Sequence, residues 1–250
     1  MKKIISNIFF FLVLIKSYPV FAGPPFIIDD PAFPDPQHYE VYLFSSLLKN
    51  DFLLESPQLL APALEIDWGV LPNLGLHLII PYAWVITPVA PLARGVGDIE
   101  TGVQCRILDE TNNRPQIAFN PLIELPIGSA STQVGNGVLW MKLPLWMQKS
   151  WGTWTVDGGG GYILNPAPFM RNAFYSGLVV QKEINKKVTL GTELFFQDAV
   201  STENNSFTIL NIGGTFSLSE RFSLLFSAGH SITGEKQLTG YLALNWSGGK

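Results

Sequence analysis

Charge is scarce in this sequence. Only 14% of its 250 residues are Asp, Glu, Lys or Arg, against about a quarter in an ordinary soluble domain. That is too little to cover a water-facing surface. Long hydrophobic runs are missing as well, since no stretch reaches the roughly 18 apolar residues of a membrane-spanning helix. Cysteine occurs once, at Cys105, which excludes a disulfide framework and a cysteine-based metal site. Histidine occurs three times, at His38, His77 and His230. A membrane β-barrel meets the first two conditions together, because lipid covers its outside and its apolar residues alternate with polar ones.

The N-terminus is consistent with such a destination. Lys2 and Lys3 precede a mostly apolar run from Ile4 to Ile15, and Val20-Phe21-Ala22 closes the segment. A basic start, a short apolar core and a small final residue predict a secretory signal peptide over 1–22, cut after Ala22. Without Lys2, Lys3 and Lys16 the chain keeps 13 basic and 20 acidic residues, a net charge of −7. That balance speaks against nucleic acid as a partner. Residues 23–36, GPPFIIDDPAFPDP, are rich in proline and aspartate, which favours an extended segment outside any ladder. They are read as a periplasmic lead-in, with a place in the barrel mouth as the alternative.

From residue 37 to 250 the sequence alternates. In 116–127 Ile117, Phe119, Pro121, Ile123, Leu125 and Ile127 share one parity, against Gln116, Ala118, Asn120, Leu122 and Glu124. In 139–148 Leu139, Met141, Leu143, Leu145 and Met147 oppose Trp140, Lys142, Pro144, Trp146 and Gln148. A period of two sends successive side chains to opposite faces of a strand, so one face is apolar and the other polar or aromatic. The same pattern recurs along the chain and gives twelve strands, the first over 38–46 and the last over 237–246. Their connections alternate between tight (71–73, 109–114, 150–152, 184–187, 218–221) and generally longer (from 47, 83, 128, 165, 198 and 231). Tight periplasmic turns, longer external loops and both termini on the periplasmic side are the topology of an antiparallel up-and-down outer-membrane β-barrel. Pro81, Pro121, Pro126 and Pro144 each remove a ladder donor, so bulges or strand ends are expected there. The final strand ends near Trp246, with SGGK beyond it.

Several stretches carry a family resemblance: LPNLGLHLIIPYAW, GVGDIETGVQCRIL, PQIAFNPLIELPIG, LPLWMQKSWGTWTVDGGGGYILNP and LLFSAGHSI. Together they resemble a family of bacterial outer-membrane barrels described as transporters or as proteins of the meta-pathway of phenol degradation. The resemblance spans nearly the whole chain from GPPFIIDDP onward. It implies an outer-membrane location and, loosely, transport of small aromatic or hydrophobic compounds. It carries no binding-residue motif.

Parity assigns the lumen. Glu65, Asp67, His77, Asp98, Glu100, Gln104, Arg106, Glu124, Lys142, Tyr175, Glu193 and Gln197 are expected to point inward, with Trp140 and Trp146. Acids outnumber bases, so an open pore would favour cations or neutral solutes. Alternatively these groups form a charge-paired filling, with Arg106 and Lys142 set between carboxylates, and the tryptophans either fill space or stack on an aromatic solute. Glu65/Asp67 and Asp98/Glu100 share a face in a way that suits Ca²⁺, but no tight liganding loop surrounds them. No metal or cofactor is assigned.

Enzymatic signals are weak. His230 and Ser231 are adjacent and so point to opposite faces of a strand, whereas a nucleophile needs its base aimed at the hydroxyl. GVGDIETG lacks the lysine and following helix of a phosphate loop. The sequence is therefore read as a passive outer-membrane channel, with membrane lipid and a small hydrophobic or aromatic solute as partners. The competing readings are a closed structural or adhesin-like barrel whose external loops bind a partner, a membrane-embedded lipid hydrolase, and a soluble ligand-binding barrel in the periplasm.

Overall fold

The computed structural model describes residues 24–50, 58–85, 92–132 and 134–249. The signal peptide expected over 1–22 lies outside the described residues. Alternation becomes fourteen strand segments: β1 (His38–Asn50), β2 (Gln58–Leu71), β3 (Leu74–Val85), β4 (Ala93–Val96), β5 (Ile99–Leu108), β6 (Gln116–Phe119), β7 (Leu122–Leu125), β8 (Trp140–Trp151), β9 (Trp154–Leu164), β10 (Ala173–Asn185), β11 (Val188–Gln197), β12 (Phe207–Ser217), β13 (Phe222–Gly234) and β14 (Gln237–Gly249). All join one antiparallel sheet, which closes where β14 pairs with β1.

Segments β4 and β5 both pair with β3 and form one stave broken at Gly97-Asp98. Likewise β6 and β7 both pair with β5 and β8 and form one stave broken at Asn120-Pro121. The barrel thus has twelve staves. Proline accounts for part of its irregularity, though β8 runs unbroken through Pro144. Pro121 lies in the second break, and Pro126 follows the end of β7. Pro81 stays within β3, opposite the point where β2 shifts register between Leu60 and Ala63. Pro144 stays within β8, and its carbonyl accepts the Asn120 N–H at 3.2 Å across the same break. Several strands run further than expected, among them β1 to Asn50, β3 to Val85, β13 to Gly234, and β14 through Ser247 and Gly248 to Gly249, which pairs with His38. The β13–β14 link, 235–236, is short rather than long.

The outer face is apolar. Leu76, Leu145, Leu178, Leu194, Ile212 and Leu242 are all exposed. Trp68, Trp151, Trp154, Phe222 and Trp246 are exposed too, and all sit near the turns and termini at one end. Tyr162 and Phe174 are exposed near the opposite end. An apolar band between two aromatic girdles is the outer surface of a membrane barrel. Among the described residues no helix is long and apolar enough to cross a membrane, and the crossing is made by strands of 10–14 residues, apart from the two broken staves. Ile212 is 66% exposed within β12. It is the central residue of that strand, so Ile212→Lys is expected to cost about 2–4 kcal/mol, read as loss of the heat-modifiable folded band after refolding into bilayers.

Residues 24–36 do not lead in from outside. They enter beside β1 and cross the barrel interior. The Gln37 N–H donates to the Gly69 carbonyl at 2.8 Å, Gln116 Nε2 to the Pro31 carbonyl at 2.6 Å, and Asn120 Nδ2 to the Asp30 carbonyl at 3.1 Å. At the far end Ser227 Oγ on β13 donates to the Pro25 carbonyl at 2.5 Å. Phe26, Ile28 and Phe33 are buried. Inward glycines make the space: a Cβ at Gly177 would strike Ile28, and one at Gly191 would meet the Phe26 ring at 2.9 Å.

Candidate functional site

The barrel interior has two unlike halves. Across β8–β12 it holds an aromatic cluster, where Trp146, Tyr175, Phe195 and Phe207 form a ladder with successive ring centroids 6.0, 6.3 and 6.3 Å apart. The four-glycine run of β9 makes room for it. A Cβ at Gly159 would meet the Trp146 ring at 2.8 Å, and one at Gly161 would meet Tyr175 at 2.7 Å. Phe26 and Ile28 of the N-terminal segment pack into the same cluster, and Trp140 packs against it.

Glu193 fixes that segment in place. It is 0% exposed, and its Oε1 accepts the N–H groups of both Ile27 and Ile28 at 2.9 Å. Its Oε2 accepts Asn211 Nδ2 at 2.6 Å, and Asn211 Oδ1 in turn accepts the Thr239 hydroxyl at 2.6 Å. A buried carboxylate needs such donors, because leaving it unsolvated and unpaired is costly.

The other half, on β2, β3, β5 and β8, is charged. Glu65, Asp67 and His77 are buried. His77 Nδ1 lies 2.7 Å from Asp67 Oδ1 and 4.0 Å from Glu65 Oε1, and its Nε2 lies 3.4 Å from Glu100 Oε1. Lys142 Nζ donates to the other Glu100 oxygen at 2.6 Å and stands 5.2 Å from the centre of the Trp140 ring. Arg106 lies over the Phe33 ring at 4.5 Å and reaches Asp109 at 3.6 Å. Glu124, half-buried, faces Trp140 across the β7–β8 pair. Gln104 is buried, and its amide oxygen has no hydrogen-bond partner.

Asp98 stands apart from this network, at the Gly97-Asp98 break. Its two oxygens accept the Gly128 and Asn136 N–H groups at 2.9 and 2.6 Å. They fold the 126–139 connection inward, so that Val134 packs on Ala83 and Val85. At the loop-side rim an open groove of about 530 Å³ is lined by Leu139, Trp140, Met141, Leu164 and Met170 among others. His230 is exposed, and its Nδ1 lies 2.9 Å from the Ser231 carbonyl rather than the hydroxyl. The Ser231 Oγ accepts the Gln237 N–H at 2.9 Å.

Parity placed Glu193 inward but did not reveal the segment it holds. Phe26, Ile28 and Asp29 carry no periodic signal, and Phe195 was not distinguished from its neighbours. The available clue was glycine at inward positions such as Gly177 and Gly191.

Comparison with known proteins gives the fold. No family model matches the sequence, and no curated protein is significantly similar to it. Among solved structures, an outer membrane channel from Pseudomonas putida F1 is similar with a TM-score of 0.71 at 14% identity, over 87% of this chain and 97% of that one. The NanC porin is similar at 0.58 and 6% identity, and the KdgM porin at 0.55 and 11%, each over 82% of this chain and 98% of the other. At these identities the likeness is one of fold, the twelve-stave barrel of the outer membrane.

Proposed function

We infer that the protein is a passive outer-membrane channel for small hydrophobic or aromatic molecules, held closed by its own N-terminal segment. The observation that carries this reading is the aromatic ladder Trp146–Tyr175–Phe195–Phe207, whose apolar surface Phe26 and Ile28 occupy. A solute that displaces those two side chains meets the same surface, and offset aromatic rings favour a flat apolar guest. Trp140 belongs to the rim groove and packs against the ladder, which links the outside to the aromatic cluster. The family resemblance points to the same solute class. Uptake tests the reading, because the lipopolysaccharide leaflet resists hydrophobic solutes. Cells producing the protein should accumulate labelled toluene several-fold faster than cells without it. Phe195→Ala should lose most of that gain at equal amounts of folded barrel, whereas uptake equal to the control cells would refute the solute class.

A second reading, the closed structural barrel whose loops bind a partner, is favoured by the charge pairing around Glu100 and the docked segment. It predicts no current under any condition that leaves the barrel folded. No enzymatic role is assigned, because His230 is directed at a backbone carbonyl. The lipid-hydrolase reading therefore has no base–nucleophile pair at this position.

A further inference from the structure

We propose that Glu65, Asp67 and His77 form a binding site for one divalent transition-metal cation, Zn²⁺ fitting best, which joins the N-terminal segment to the barrel wall. The three side chains, on neighbouring strands β2 and β3, each offer a donor atom, and these atoms lie within 4.8 Å of one another. Donors about 2.0–2.2 Å from a tetrahedral Zn²⁺ stand roughly 3.4 Å apart. The separations of 2.7 and 4.0 Å from His77 Nδ1 bracket that value, so the ligands need shifts on the order of 1 Å.

Three further observations support the site. A small cavity of about 20 Å³ adjoins it, room for a single water or ion, which needs about 10–15 Å³. Five acidic residues line that cavity, Asp29 and Asp30 from the segment with Glu40, Glu65 and Asp67 from the wall, and no lysine or arginine does. The amide oxygen of Gln104, on the same cavity, is buried without a hydrogen-bond partner. It is a further oxygen donor available to the cation. Finally, His77 presents its other nitrogen to Glu100 at 3.4 Å. Without a metal, Nδ1 is hydrogen-bonded to Asp67 at 2.7 Å and Nε2 has no hydrogen-bond partner, so ligation through Nδ1 moves the ring proton to Nε2, where the Glu100 carboxylate stands to receive it. The imidazole selects Zn²⁺ over Ca²⁺, which prefers an all-oxygen shell. Asp29 lines the same cavity from the segment and is the carboxylate through which the cation would reach it.

This site rests on the docked segment of the channel reading, but metal retention is measured without any current, so the two fail separately. Refolded mature protein is equilibrated with Zn²⁺, desalted and analysed by mass spectrometry for metal. About one Zn²⁺ per chain is expected. His77→Ala should lower affinity about a hundredfold and Glu100→Gln about tenfold, with His230→Ala unchanged. Asp29→Asn should weaken binding about tenfold. Heat-modifiable migration verifies that each variant is folded. If His77→Ala does not fold, the visible spectrum of the Co²⁺-loaded wild type decides. Intense tetrahedral bands support the site, and the weak spectrum of hydrated Co²⁺ overturns it. No retained Zn²⁺, unchanged retention in folded His77→Ala, or displacement by equimolar Ca²⁺ would also overturn it. Unchanged affinity in Asp29→Asn would remove the link to the segment.

Discussion

Replacing Glu193 by alanine is expected to open the barrel. The carboxylate takes both segment N–H groups and the Asn211 amide. Its removal leaves those donors unpaired in the interior, and hydrogen bonds to a charged group are worth about 1.5–3 kcal/mol each. The undocked segment regains water for its own N–H groups, so the loss falls on docking rather than on the barrel ladder. A shift of about 3 kcal/mol moves the docking equilibrium on the order of a hundredfold. In planar bilayers the variant should show long-lived steps where the wild type is mostly silent, with unchanged heat-modifiable migration. An unchanged open fraction in a folded variant would mean that Glu193 does not hold the closed state.

Lys142→Met is expected to lower stability more than it changes conduction. Lys142 neutralises Glu100 at 2.6 Å, and the two side chains are 28% and 12% exposed. Breaking a buried pair by deleting one partner costs about 3–5 kcal/mol. The partial exposure here reduces that to about 2–3 kcal/mol. His77 remains as the second partner of Glu100, which keeps the loss at the lower end. Urea unfolding in vesicles, followed by tryptophan emission, should show the midpoint fall in Lys142→Met. It should recover most of the way in Lys142→Met/Glu100→Gln, where the stranded charge is gone. A single variant as stable as the wild type would show that the pair is solvent-screened.

Much of the barrel was legible because a strand writes its two faces into the sequence. At 64–68 the buried residues are Glu65 and Asp67, while Trp68 is exposed. At 144–148 Pro144, Trp146 and Gln148 are buried while Leu145 and Met147 are exposed. Strand ends were less legible, since pairing extends a strand where no alternation marks it. Ser247 to Gly249 continue β14 only because β1 offers a partner as far as His38. The place of residues 24–36 was legible only as an alternative, a position in the barrel mouth. Their contacts are backbone carbonyls and N–H groups meeting distant side chains such as Gln116, Glu193 and Ser227. Such bonds need no sequence period, and proline and aspartate read equally well as an exposed tail. The same holds for Asp98, whose partners Gly128 and Asn136 are backbone groups of a loop.

In the channel reading, current passes through the space the N-terminal segment fills. A side chain at Gly177 would touch Ile28, so Ile28→Cys/Gly177→Cys, made with Cys105→Ala, places two thiols where they can bridge. Single-channel recording of this protein, oxidised and then reduced, tests the claim directly. Silence is expected while the disulfide holds the segment, with discrete, cation-preferring steps returning on reduction. Steps of equal size in both states, or silence in both with a folded, inserted barrel, would contradict the claim.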